Sequence, residues 1–205
     1  MPIVVRVEKG AEPTAPAVAE ATATAVVRLL DDPRSASGEW TAAVTRWLDG
    51  RIRKVARRAR GSRWTAAATL PGVTVTHDGA EVRAFVPTAT DAVPAEIAKL
   101  QVSGLELPSG EPSPARASAL PIALTPHVTM SPLKAAVQAA HAAQLAYSVM
   151  SDDELSSWRD ASFDVRVSYP DAATWARLAS SARVVVRDAG FTEVPPGTRT
   201  ALALY

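Results

Sequence analysis

The sequence of 205 residues contains no cysteine, which excludes disulfide scaffolds, thiolate zinc sites, iron–sulfur clusters and cysteine nucleophiles. Its three histidines, His77, His127 and His141, are scattered rather than spaced as a metal triad. No metal or cofactor is expected. Aromatic residues make up only 5% of the chain, so the five tryptophans serve as landmarks. No apolar run approaches the ~18 residues of a membrane span. The opening Met-Pro-Ile-Val-Val-Arg-Val-Glu reads as a short strand, not as a secretory leader. A cytoplasmic protein without membrane contact is the expectation. Neither sign of charge dominates, and a net charge of +1 excludes a chain that is basic throughout. What is plentiful is apolar surface: 47% hydrophobic residues against 21% charged suffice to bury a core.

The basic residues are unevenly placed. Arg51 to Arg63 reads RIRKVARRARGSR, seven basic residues with no acid. Arg51, Arg53, Lys54, Arg57, Arg58, Arg60 and Arg63 form the footprint expected of a phosphate-backbone contact. A solvated arginine-rich face would look the same.

Hydrophobic period and turn residues predict strands over 3–7 and 51–57 and a helix from Ala15 to Leu30. They place a second helix over Ser37–Leu48, with Trp40, Val44, Trp47 and Leu48 on one stripe. A hairpin follows over Val73–Phe85, turning at Asp78-Gly79. Residues 103–118 hold Pro, Gly and Ser without an apolar period, as a linker does. Beyond it come strands at 120–124, 163–167, 183–187 and 198–204, and helices at 132–150, 154–158 and 172–180. The expected class is α/β: a mixed β-sheet flanked by helices in the C-terminal half. The division taken is 1–107, a linker over 108–119, and 120–205.

Two segments of the second half concentrate polar chemistry. Ser131 and Pro132 suit the N-cap and first position of the long helix. Lys134 then stands in the first turn, where a cation is disfavoured by a few tenths of a kcal/mol, which suggests that an anion belongs there. Lys134, Gln138 and His141 share one helix face. They line a ligand surface, or Lys134 snorkels while Gln138 and His141 are satisfied core polars. Asp188 lies at the carboxyl end of a strand, and Thr198 and Thr200 open the last strand on one face after the Pro195-Pro196-Gly197 turn.

These segments resemble the type II peptidyl-tRNA hydrolases. One family motif, M-x-x-G-K-x-A-A-Q-x-x-H-A, stands here as Met130-Ser131-Pro132-Leu133-Lys134-Ala135-Ala136-Val137-Gln138-Ala139-Ala140-His141-Ala142. The terminal motif R-D-A-G-x-T-x-x-x-P-G-T-x-T runs from Arg187-Asp188-Ala189-Gly190 through Thr192 and Pro196-Gly197-Thr198 to Thr200. The resemblance covers 120–205 and implies hydrolysis of the ester between peptide and tRNA, without metal or cofactor. It implies Lys134, Asp188 and Thr200 as catalytic residues, with Gln138, His141, Thr192 and Thr198 supporting them. Asp188 could activate a water if its surroundings raise its pKa from about 3.9 towards neutrality. Leu133 replaces the family's glycine, and Ser131 and Pro132 replace its basic residues. Affinity for tRNA is therefore expected from the 51–63 run. The alternative is a catalytically silent tRNA- or ribosome-binding module.

At an offset of 111 residues the halves align. Trp47 meets Trp158, Trp64 meets Trp175, Val73 and Val75 meet Val184 and Val186, and Gly79 meets Gly190, with Ile52 opposite Phe163. The first half then reads as a degenerate repeat of the same fold, with His77 opposite Asp188 and no lysine matching Lys134. The family typically works as a homodimer. A monomer whose halves pair as an intramolecular pseudo-dimer is expected, with a homodimer as the alternative.

Overall fold

The computed structural model describes residues 1–50, 52–114 and 118–205. Its first half runs β1 (Pro2–Arg6), α1 (Ala15–Asp31), α2 (Pro33–Ala36), α3 (Thr41–Asp49), β2 (Val55–Ala59), α4 (Gly61–Ala68), β3 (Gly72–His77), β4 (Ala80–Phe85) and α5 (Ala95–Ala98). The second half runs β5 (Leu120–Leu124), α6 (Pro132–Val149), α7 (Asp152–Asp160), β6 (Val165–Ser168), α8 (Ala172–Ser181), β7 (Val184–Arg187) and β8 (Arg199–Ala203).

The strands form two mixed sheets of four, ordered β2-β1-β4-β3 and β6-β5-β8-β7. In the first, β1 pairs parallel with β2 and antiparallel with β4, which pairs antiparallel with β3. In the second, β5, β6, β8 and β7 repeat those directions in the same places. The repeated fold is therefore present. Its tryptophans keep equivalent contacts: Trp47 and Trp158 each donate the indole N–H to a carbonyl six residues on, Arg53 at 3.0 Å and Asp164 at 2.8 Å. Trp64 of α4 and Trp175 of α8 each pack on the outer face of their own sheet.

Between the sheets lie α1 and α6, packed on each other and each also touching the other half's sheet, α1 at β6 and α6 at β2. Their alanines explain the close approach. Ala19, Ala21, Ala23 and Ala25 of α1 and Ala136, Ala139, Ala140, Ala142 and Ala143 of α6 are fully buried, and small side chains let helix axes come together. One apolar core continues from Ile3, Val5 and Val82 through both helices to Ile122, Leu124 and Ala201.

Three local expectations shift. The second helix begins at Thr41, because Asp32 caps the extra turn α2 and Trp40 donates its N–H to Arg34. Leu48 leaves the buried stripe and is 43% exposed. The strand read at 51–57 forms instead at Val55–Ala59. The 103–114 stretch has no helix or strand, as its composition predicts, yet it is tied down. Leu105 is buried in the core, and the Pro108 carbonyl accepts from Ala15 N at 2.9 Å.

Candidate active site

Ser131 caps α6, its hydroxyl accepting from Lys134 N at 3.3 Å, and Pro132 opens the helix without an amide hydrogen to satisfy. The Glu193 carboxylate accepts from Ser131 N and from Ser131 Oγ, both at 2.7 Å. The loop between β7 and β8 is thereby fastened to the start of α6. Lys134 uses this proximity. Its Nζ donates to Asp188 Oδ2 at 2.6 Å and to Thr192 Oγ1 at 2.9 Å. The anion expected near the lysine is thus a carboxylate of the chain itself, and the two side chains are only 11% and 10% exposed.

Asp188 is held from every side. Its N–H donates to the Thr198 carbonyl at 2.9 Å, and its own carbonyl accepts from Gly197 N at 2.8 Å. Its Oδ1 accepts from Gly190 N at 2.8 Å, and its Oδ2 accepts from Gln138 Nε2 at 2.8 Å as well as from Lys134. Gly190 is required here: its φ is +78°, and a Cβ would stand 2.6 Å from Pro196 N. Behind the carboxylate, Thr200 Oγ1 donates to Gln138 Oε1 at 2.5 Å, with both residues buried. A β-bulge aims Thr200 there. Val186 pairs with Ala201 and Arg187 with Arg199, which leaves Thr200 as the extra residue of β8, turned towards α6.

Burial alone would raise the Asp188 pKa. The Lys134 ammonium, the Gly190 N–H and the Gln138 amide outweigh it and hold the carboxyl below its ordinary value. The rise towards neutrality that a general base would need is therefore not found. The cause is the number of donors converging on one carboxylate.

Residues 121–205 match the family model of the peptidyl-tRNA hydrolase PTH2. No curated protein matches the chain.

The PTH2 segment contains Lys134, Gln138, Asp188, Thr192 and Thr200, which the fold brings into one hydrogen-bonded chain. Two further residues singled out in the sequence do not join it. Thr198 turns its hydroxyl to the Pro195 carbonyl at 2.7 Å. His141 faces the first half, where its Nδ1 lies 2.8 Å from Lys54 Nζ. Glu193 is the member that sequence reasoning missed. Its signal was an acid inside the loop of the terminal motif, close to a helix start that has no acid of its own.

The basic run is not one patch. Arg51 lies outside the described residues. Lys54 is buried between the halves, donating to Gln144 Oε1 at 2.8 Å as well as facing His141, so it is removed from the phosphate-contact set. Burial pushes its amine well below the ordinary lysine value, and burial with the nearby Lys54 and Lys134 charges does the same to His141. Arg57 and Arg58 are neighbours in β2 and so point to opposite faces, with Arg57 donating to the Leu100 carbonyl at 3.1 Å. Arg53, Arg60 and Arg63 are exposed. Arg53 reaches the site, its guanidinium 4.9 Å above the Phe191 ring.

The first half carries a reversed version of the cluster. Glu20 of α1 and His77 at the end of β3 meet at 2.9 Å, a helix anion facing a base on the strand. Ser113 Oγ donates to the Glu20 carboxylate and lies 2.7 Å from His77 Nε2 and 3.1 Å from Asp78 Oδ2. The Glu20 hydrogen bond, opposed by burial, raises the His77 pKa. Pro16 and Ala17 fill the first turn of α1, so this copy has no counterpart of Lys134.

Proposed function

We propose that this protein hydrolyses the ester joining a peptide to the 3′ ribose of tRNA and so frees the tRNA for reuse in the cytoplasm. The single observation that carries the reading is the Lys134–Asp188 pair, backed by Gln138 and Thr200, inside the PTH2-matched segment. In this reading Lys134 swings from Thr192 to the ester carbonyl and stabilises its developing oxyanion. Asp188 stays ionised, holds Lys134 in place and orients the attacking water through Oδ1. The water oxygen bonds to the carbonyl carbon, the bond to the ribose oxygen breaks, and one water proton ends on that oxygen. The second is lost to solvent as the peptide leaves as a carboxylate. No metal has a part in this scheme. Thr200 is buried behind Gln138, so it is a positioning residue rather than a group that touches substrate.

The test is deacylation of an N-blocked aminoacyl-tRNA by the purified protein with EDTA present. Binding of tRNA without turnover would establish the silent module instead. Thr200→Val should lower turnover by about tenfold or less, since one neutral hydrogen bond behind the carboxylate is removed. Its KM should not change. Charge-neutral substitution of Arg53, Arg60 and Arg63 together should weaken tRNA binding and flatten its salt dependence, by roughly one unit of logarithmic slope for each phosphate no longer neutralised. An unchanged slope would make these arginines a solvated surface.

The first half takes the place of a second copy, with α1 against α6 as the paired helices. Light scattering should therefore give a monomer at micromolar concentration. A dimer built through the second half would overturn the pseudo-dimer.

A further inference from the structure

The two copies can be compared cleft by cleft. Each has a cleft beside its repeated tryptophan, near the start of its central strand. In the first half Ala43, Arg46 and Trp47 of α3 face Arg53, Val55 and Arg57 across about 620 Å³. In the second, Glu154, Ser157 and Trp158 of α7 face Leu120 and Tyr205 across about 290 Å³. At the offset of 111, Ala43, Arg46 and Trp47 stand opposite Glu154, Ser157 and Trp158. The tryptophan is kept, while everything charged around it differs. The larger cleft has three arginines and no acid among its described lining residues. The smaller has an acid, Glu154, that is already paired with Arg183, and no arginine.

Arg57 spends part of its guanidinium on the Leu100 carbonyl. Arg46 and Arg53 make no ion pair among the described residues, and both are exposed. Two such guanidiniums beside apolar walls suit phosphates joined to flat bases: arginine offers a planar fork to phosphate oxygens, and bases seat on apolar surface. The volume lies within the range of small-ligand sites. Position gives the direction. Arg53 stacks on Phe191, which is 64% exposed, and the next residue, Thr192, is bonded to Lys134 Nζ. The basic cleft of one half thus adjoins the Lys134–Asp188 loop of the other.

We infer that this cleft binds the unpaired 3′-terminal nucleotides of an RNA, with Arg46 and Arg53 on the phosphates and Ala43, Val55 and Val93 against a base. The inference rests on the hydrolase reading for the identity of the RNA and adds a subsite in the half that the PTH2 match does not cover. One copy keeps the Lys134–Asp188 pair, and the other supplies the place where the strand end is held.

The experiment uses the full chain and a trinucleotide RNA with the sequence of the tRNA 3′ end, labelled at its 5′ end, read by fluorescence anisotropy. Arg46→Ser with Ala43→Glu installs the second half's residues in the first cleft. It should weaken binding by at least about tenfold, the scale expected when a charge-assisted hydrogen bond is removed. Arg53→Gln should weaken it as well, while Arg177→Gln, at an exposed arginine of α8, should bind as the wild type does. Equal melting temperatures of the variants check folding, and Arg46→Gln alone serves if the double variant fails that check. In deacylation the cleft variants should raise KM and leave kcat unchanged. Wild-type affinity in folded cleft variants would overturn the inference, as would an equal loss of binding in Arg177→Gln. RNA binding that depends on the cleft in a protein that deacylates nothing would sink the hydrolase reading and leave the subsite standing. Deacylation with an unchanged KM would do the reverse.

Discussion

Asp188→Asn and Lys134→Ala should each lower turnover of peptidyl-tRNA by at least ~100-fold, the usual scale for removal of an electrostatic or acid–base group. The asparagine change is nearly isosteric, and its failure is a matter of hydrogens. Asp188 Oδ2 accepts from both Lys134 and Gln138, and Oδ1 accepts from Gly190 N. An amide can present its oxygen to one side only, so its NH₂ must face donors in either orientation. Lys134 would also lose its counter-charge at the positive end of α6. Lys134→Ala removes the only ammonium in the cluster and leaves Asp188 with neutral donors. Both side chains lie at the ends of elements, so circular dichroism and melting should show folded proteins. Near-wild-type turnover in either variant would take that residue out of the site.

Trp158→Ala should cost about 3–5 kcal/mol of stability, the range for truncating a large buried aromatic. Its indole is 4% exposed, meets the Phe163 ring edge-on at 5.2 Å and donates to the Asp164 carbonyl. For a chain of this size that loss lowers Tm by roughly 6–20 °C. Trp47→Ala, the same position in the other copy, should act similarly, because the two indoles are bonded alike. One core runs through both halves, so urea unfolding should remain a single transition in both variants. A change below about 1 kcal/mol would show that the repeated tryptophan does not anchor the fold.

The elements that could be read from the sequence are those whose residues carry their own geometry. The α6 start was legible because Ser131 and Pro132 are a cap and a first-turn residue by chemistry alone. The repeat was legible because tryptophan is rare, and because glycines at +79° and +78° mark the same bend twice. Strand alternation puts Thr198 and Thr200 on one face, yet a bulge turns Thr200 to Gln138 while Thr198 bonds the Pro195 carbonyl. Alternation cannot announce its own interruption. Lys54 was misplaced for a different reason. Charge composition reports how many cations a segment holds, whereas burial depends on the partner surface, here His141 and Gln144 of α6. The Asp188 pKa was likewise beyond reach, since its direction follows from how many donors converge.

The helix that presents Lys134 is also the helix that seals the two halves together. Counted from the helix caps, Ala17 stands where the other half has Lys134, and His77 stands opposite Asp188, so the first half lacks the pair while the alanines of α1 are held to their size. A larger side chain at Ala21 or Ala25, both fully buried in the core between the halves, would press on its neighbours. Because Lys134 and Asp188 ride on different elements, even a small displacement would open their 2.6 Å contact. Steric fit thus ties the first half to the second, and a fragment cut at residue 120 would leave the alanine face of α6 in water.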